Sequence, residues 1–470
     1  MQFKDYILHQ EFESIGMWMP DYNQLDSAVT GIFNVTAGRY ELTLFGFTHH
    51  FENKRMIYGY TEDGKLIWIP YFNKTTDSKS DARFAVTHIE VKEFYLFEVN
   101  PVHFTGENII ADAFDQIFPN SRFDFQINHL SFSTNHLLKW MGQQPYHYAE
   151  KQKDKLHIPY GTVKSEQYPL PNELLLQLDL KQSISQKETG IYVNSASEIT
   201  IQKQDGKKTW FKKLHKEALG TVKLIDFLGG WVNEFTYLHF DINPGIRGSY
   251  FFPQSHITSD YTEREVHTTY LDIEHIFHKV LLNYMDKRKK LDLVLDDYLS
   301  EYYLVEFYET KLLNSIRNLE IFHRNFIEPR DVFKKDEGIE EARAQIINFI
   351  NKEVPDKYQG RFRSQVYYQP EKSLRKRMDY LIKNLPAEVF DVLQIKTPKR
   401  RKSRSIGSFV NRLIETRHYY THGDFPENYP SRIVELDQIK RVNQTLRKIC
   451  LYYVYRELGI SEEIIFKKIC

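Results

Sequence analysis

The chain has 470 residues, with 63 lysines and arginines against 63 aspartates and glutamates and hence a formal charge of zero. That length exceeds one ordinary core and calls for two or three domains. Hydrophobic residues at 41% with charged residues at 27% exclude a disordered chain, and charge neutrality excludes a global field that recruits nucleic acid, leaving that task to local patches.

Only two cysteines occur, Cys450 and Cys470, which excludes a secreted disulfide framework and argues against a Cys-based zinc site. The opening MQFKDYILHQEFESIG has no charged stretch followed by an apolar core, so no signal peptide is expected. No run approaches the ~18 consecutive apolar residues of a membrane helix. A cytoplasmic protein without membrane contact is expected.

Up to about residue 255 the pattern has period 2 with turn punctuation. "GRYELTLFGF" sets Tyr40, Leu42 and Leu44 against Arg39, Glu41 and Thr43, as a half-buried strand does. "YTEDGKLIWIPYF" places Asp63-Gly64 between apolar runs and predicts a hairpin, and "IQKQDGKKTWF" repeats that logic at Asp205-Gly206. "INHLSFSTNHLLKWMG" reads as a strand followed by a short helical turn ending near Trp140 and Gly142. A softer division falls around residues 143–170, where Pro159, Pro169 and Pro171 interrupt the pattern.

Beyond 255 the periodicity turns helical, in "IEHIFHKVLLNYM", "YYLVEFYETKLLNSIRNLEIFHRNF", "IEEARAQIINFINKE" and "KSLRKRMDYLIKNL". Two late stripes are the clearest: Ile406, Phe409, Val410, Leu413 and Ile414, then Ile439, Val442, Leu446, Ile449 and Tyr453. The expected fold is α+β and multidomain. Residues 1–255 form a β-rich half of sandwich-like antiparallel sheets, with two lobes divided near 143–170, and residues 256–470 an all-α bundle.

The first of those late helices runs into "ETRHYYTHGDFP". Arg417 lies four residues past Leu413 and so continues the apolar stripe, while Gly423 and Pro426 stop the helix at His422, where the backbone can redirect the side chain. A basic last turn is also an ordinary helix cap, favoured by the dipole. Five cations, Lys399, Arg400, Arg401, Lys402 and Arg404, precede the helix. They are either a solvated loop or an RNA-phosphate track. A weaker cluster, "DKRKK" at 286–290, is offset by Asp292, Asp296 and Asp297.

Arg417-x4-His422 resembles the R-x4-6-H signature of the HEPN superfamily, small helical bundles that include many metal-independent ribonucleases. The fuller string is similar to the ApeA-type HEPN motif Arg-Asn-Tyr-Tyr-Thr-His, with His418 here in place of the asparagine. "GMWMPDYNQLDSAVTGIFNVTAGRYELTLFGF", "RMIYGYTEDGKLIWIPYF" and "INHLSFSTNHLLKWMG" resemble the β-rich domain that accompanies ApeA-type HEPN domains. The resemblance implies an abortive-infection antiphage effector that cleaves RNA, tRNA among the candidates, with Arg417 and His422 catalytic and His418 and Tyr420 auxiliary. It also implies a homodimer or higher homo-oligomer through the HEPN domain. The strands of the N-terminal half offer edges and aromatic surface for a protein such as a phage component, so residues 1–255 are expected to act as sensor and restraint with a phage protein as trigger. Histidine suits general acid–base work at neutral pH, and arginine offers a permanently charged fork for phosphate oxygens. No metal or cofactor is expected.

Arg317 and His323 in "RNLEIFH" fit R-x5-H as well. Leu319, Phe322 and Phe326 carry the helical pattern around them, and six helical residues turn the two side chains about 120° apart, so a core helix is expected there. His49-His50, His129 and His136 lack carboxylates at metal-ligand spacing and read as strand and loop histidines. There is no P-loop, dinucleotide fingerprint or GxSxG elbow. The alternative function is a non-catalytic HEPN dimerisation scaffold or sensor that binds a protein partner.

Overall fold

The computed structural model describes residues 8, 10–36, 39–46, 51, 56–80, 84–100, 109–119, 124–142, 151–152, 155–156, 161–187, 190–252, 254, 268–304, 306–328, 337–367, 373–392, 402–423 and 433–469. The chain divides into two compact units, Met1–Leu282 and Asn283–Cys470.

In the first unit, β1 (Phe12–Met19), β2 (Val29–Thr36), β3 (Arg39–Phe45), β4 (Ile57–Thr61), β5 (Lys65–Ser80) and β6 (Phe84–Val99) pair antiparallel in the order β6-β3-β2-β1-β4-β5. Because β5 also pairs with β6, this ring closes. The strands are antiparallel as expected, but they form a barrel here rather than a sandwich. The length of β6 explains the difference. Its first part holds β3 through Val86–Val91, and from Phe94 onward the same edge passes to another strand.

That strand belongs to an open sheet. After α1 (Ile109–Ile117) come β7 (Gln126–Ile127), β8 (His129–Thr134) and α2 (Leu137–Trp140). A short pair follows, β9 (Lys151–Gln152) with β10 (Lys155–Leu156), and then β11 (Gly161–Leu170), β12 (Leu174–Lys187), β13 (Gly190–Lys203) and β14 (Thr209–Trp210). Helix α3 (Phe211–Gly229), β15 (Phe235–Asn243) and β16 (Ile246–Phe251) complete the set. The order β11-β12-β13-β8-β15-β16 runs out from β6. Of the softer division at 143–170, residues 143–150, 153–154 and 157–160 lie outside the described residues.

The alternation in β3 works as expected, burying Tyr40, Leu42 and Leu44. Trp18, fully buried, lies across two glycines. A Cβ on Gly59 would come within 2.4 Å of its ring and one on Gly31 within 2.9 Å, so neither position accepts a side chain without moving the indole. Asp63-Gly64 makes the expected β4–β5 hairpin, with Gly64 at φ 80°.

Asp205-Gly206 does not make a hairpin. Gly206 turns at φ 70°, but Thr209 and Trp210 pair with β7, and the chain then enters the 19-residue α3. Phe211, Leu214, Ala218, Val222 and Ile225 bury one face at three- and four-residue spacing. Gly230, at φ 76°, ends the helix through a hydrogen bond from its N–H to the Asp226 carbonyl at 2.8 Å.

Among the described residues the last strand is β16, and the next elements are α4 (Tyr270–Ile273) and α5 (Phe277–Tyr303), with the unit boundary inside α5. Tyr270 and Phe277 pack on Trp140, and Phe277 also on Tyr168. In the second unit the expected long run breaks, with Leu304, Glu306 and Phe307 outside any helix. Helix α6 (Tyr308–Phe322) then continues into a π-helical turn, His323–Ile327. Next come α7 (Glu337–Glu353), α8 (Asp356–Tyr367), α9 (Leu374–Lys383), α10 (Ala387–Val392), α11 (Lys402–His422), α12 (Leu436–Leu458) and α13 (Glu462–Ile469). Helix α6 packs on α12, and α9 and α11 on one another. The core takes Leu312, Ile316 and Leu319 from α6, Ile406, Val410 and Leu413 from α11, and Ile439, Leu446 and Ile449 from α12.

Candidate active site

Arg417 stands on the inner side of α11, half-buried, where the apolar stripe led it. Its Nη1 donates to Glu320 Oε2 on α6 at 3.1 Å. Glu320 also accepts from Arg377 Nη1 on α9 at 2.9 Å and pairs with Arg324 at 3.1 Å. Arg377, only 3% exposed, donates through Nε to Glu328 at 2.7 Å, and that carboxylate lies 3.5 Å from His323 Nδ1. Three guanidinium groups thus share two carboxylates from α6 and the turn that follows it.

The histidines lie elsewhere on the helix. α11 continues through His422 and stops at Gly423, whose φ is 73° and whose N–H bonds the Tyr419 carbonyl at 2.9 Å. The expected redirection of His422 by a broken backbone therefore does not occur. Helical geometry sets the side chains of Arg417 and His422 about 140° apart. His418 and His422, four residues apart, do share a face: both are exposed and their ring centroids are 5.8 Å apart. Tyr420 is half-buried beside Tyr419, with ring centroids at 4.9 Å, and its hydroxyl pKa is raised by desolvation and by the Glu309 charge.

Behind the motif the bundle is clamped. Thr416 accepts from the Val434 amide at 2.8 Å, and Arg412 Nη2 reaches the Ile433 carbonyl at 3.3 Å and Gln438 at 2.9 Å. These bonds bring the chain back from the motif to the start of α12. Lys402 and Arg404 lie in the first turn of α11, whereas Lys399, Arg400 and Arg401 lie outside the described residues.

The competing pair has structural partners. Arg317 forms a two-pronged ion pair with Asp297, at 2.5 and 2.8 Å, and His323 is fully buried in the π-helical turn. Leu319, Phe322 and Phe326 around them are buried, as a core helix requires. Sequence reasoning missed Glu320, Arg324 and Arg377. Glu320 and Arg324 stand four apart on α6, a spacing that favours an ion pair, but nothing local ties them to Arg377 or Arg417.

A separate polar cavity of about 230 Å³ opens on the sheet of the first unit. Row pairing sets His129 opposite Asp241 and Asp241 opposite Arg247, and His239 shares a hydrogen bond with Ser249 at 2.9 Å. His129 is a strand residue, as expected, and lies 3.6 Å from Asp241. His136 precedes α2, its ring 5.3 Å from Trp231. His49 and His50 lie outside the described residues.

A helical bundle carrying an arginine and histidines on the last turns of one helix, backed by a glutamate from another, defines a candidate active site of the HEPN class. Residues 313–464 match the family model described as Apea-like HEPN, so the C-terminal region is an Apea-like HEPN domain. The match leaves the strand-rich unit outside it. No curated protein and no solved structure matches the chain. No helix among the described residues is long and apolar enough to cross a membrane.

Proposed function

We propose that the protein is an antiphage abortive-infection effector whose HEPN domain cleaves RNA, using the RNA's own 2′-hydroxyl as nucleophile. The 2′-oxygen attacks phosphorus and the bond to the 5′-oxygen breaks, leaving a 2′,3′-cyclic phosphate and a 5′-hydroxyl. One histidine takes the 2′-hydroxyl proton and another protonates the departing 5′-oxygen, work worth about 100- to 10,000-fold. Arg417 carries the phosphate charge. The observation that supports this reading most is the divergence of charge on α11: Arg417 lies inward on Glu320 and His418 and His422 face outward. Within one chain the arginine and histidines do not converge, so a second copy completes the cleft, and catalysis belongs to a homodimer or a higher homo-oligomer.

On this reading Lys402 and Arg404, with Lys399, Arg400 and Arg401 before them, add charge for the RNA backbone. Residues 1–255 act as sensor and restraint, released by a phage protein, and residues 256–470 as effector. The test is incubation of purified protein with total RNA, tRNA included, beside Arg417→Ala. Arg417-dependent products with cyclic phosphate ends are expected. An intact RNA pool under both proteins would favour a non-catalytic dimerisation scaffold.

A further inference from the structure

Helices α7 and α8 form a hairpin joined by Val354 and Pro355, and each packs chiefly on the other. Polar bonds tie one side of it: Arg363 Nε donates to Asn351 Oδ1 at 2.7 Å, and Gln359 Nε2 donates to the Val354 carbonyl at 2.8 Å. Helical rotation carries the apolar residues away from that side. Ala342, Ile346 and Phe349 fall within about 60° of one another on α7, with Phe349 about 160° round from Asn351. On α8, Tyr358 and Phe362 lie about 40° apart and roughly 140° and 100° from Arg363. Ile346, Tyr358 and Phe362 are 48–49% exposed and Phe349 60%, whereas Ile350 alone is buried among the described side chains of these two helices. A stripe at helical spacing ordinarily faces a core; this one is open.

The surface fits a copy of itself. α7 carries four glutamates against one arginine and one lysine, and α8 three cations against one aspartate. About a two-fold axis, α7 of one copy lies over α8 of the other, so opposite charges meet twice. Half of an aromatic side chain is on the order of 100 Å², so the four large side chains offer about 400 Å² per copy and about 800 Å² per pair. A standard interface of about 1,600 Å² is roughly 57% non-polar, or about 900 Å². The two amounts agree.

We propose that the α7–α8 hairpin is a self-association surface, pairing with the same hairpin of a second copy into a four-helix bundle. The pairing stands on the hairpin alone; its part in catalysis rests on the ribonuclease reading, in which one α11 needs another. Two copies joined at their hairpins present their α11 helices to each other at an effective concentration on the order of millimolar.

The experiment is sedimentation velocity over a concentration series on full-length protein carrying His422→Ala, with the fold followed by circular dichroism. That protein should dimerise at roughly micromolar concentration. Phe349→Gln/Phe362→Gln changes four side chains per dimer and should weaken self-association about 100-fold or more. Phe349→Glu/Phe362→Glu sets like charges against one another and should weaken it further; the Gln pair decides the matter if the Glu pair fails to fold. Leu293→Gln, at an exposed apolar position on α5, should leave it within about twofold. A starting protein still monomeric at about 100 μM would overturn the proposal, as would a folded Gln pair weakened no more than Leu293→Gln. Cleavage is then read with His422 restored. A hairpin-dependent dimer that cuts no RNA would sink the ribonuclease reading and leave the interface standing. Arg417-dependent cleavage by a protein whose dimer ignores the hairpin substitutions would do the reverse.

Discussion

Glu320→Gln keeps the shape of the side chain on which Arg417 rests and removes its charge. Arg324 and Arg417 are 47% and 36% exposed, so their pairs with Glu320 contribute at most about 1 kcal/mol each. Arg377 is 3% exposed and loses one of its two carboxylates, and a hydrogen bond between charged groups there is worth about 1.5–3 kcal/mol. The sum is about 3 kcal/mol, roughly a hundredfold in a local opening equilibrium. Hydrogen exchange of peptides from α6 and α9 should therefore speed up by about that factor, a local readout suited to a protein of two units. RNA cleavage should fall about 10- to 100-fold, since Arg417 loses its tether but not its charge. Exchange in α6 and α9 within twofold of wild type would refute the assignment of this network as the support of the site.

His422→Ala should abolish RNA cleavage and leave thermal stability nearly unchanged, because His422 is exposed at the helix end; cleavage at the wild-type rate would remove it from the site. Cleavage should persist in EDTA, and activity lost to chelation and restored by Mg²⁺ or Mn²⁺ would replace the 2′-hydroxyl route with a metal one. His215 lies among Phe211, Tyr250 and Phe252, and burial lowers its pKa from 6.5 to about 4. As pH falls from 6.5 towards 4 the unfolded chain takes up that proton first. The first unit should then lose up to about 3 kcal/mol, and in His215→Phe the melting point should drop less between pH 7 and pH 4.5 than in wild type. Residues 256–470 expressed alone should be toxic through Arg417 where the full chain is not. The fragment uncovers Tyr270 and Phe277, so light scattering should be read beside toxicity, and a soluble, dimeric but harmless fragment would count against restraint.

What the sequence made legible was local. The alternation in β3, the Asp63-Gly64 turn and the stripes of α11 and α12 are each set by residues a few positions apart, and each stands in the fold as read. Barrel closure was not legible, because it depends on β5 and β3 holding opposite edges of β6, a matter of strand length and register. Helix α3 was hidden by its entrance: Asp205-Gly206 is a real turn, and the period changes only at Phe211, after the lysines and Trp210. At the site, Arg417 and the histidines were visible in one string. Glu320 and Arg377, 97 and 40 positions upstream of Arg417, were not.

The same rotation that argued against Arg317 and His323 also bears on Arg417 and His422. Six residues put the first pair about 120° apart, and five put the second about 140° apart on an unbroken helix. Spacing therefore cannot separate the two pairs; their surroundings do. Arg317 is spent on Asp297 and His323 is closed into the core, whereas Arg417 is tethered yet partly open and both α11 histidines face solvent. On the proposed reading, a motif whose parts diverge in one chain is latent in the monomer. Activity then rises with whatever brings two copies of α11 together, and restraint needs only to oppose that approach. A trigger that shifts the balance a hundredfold must bind the paired arrangement better than the resting one by about 3 kcal/mol. Such a shift requires no change inside the bundle itself, where Glu320 already holds Arg417 in place.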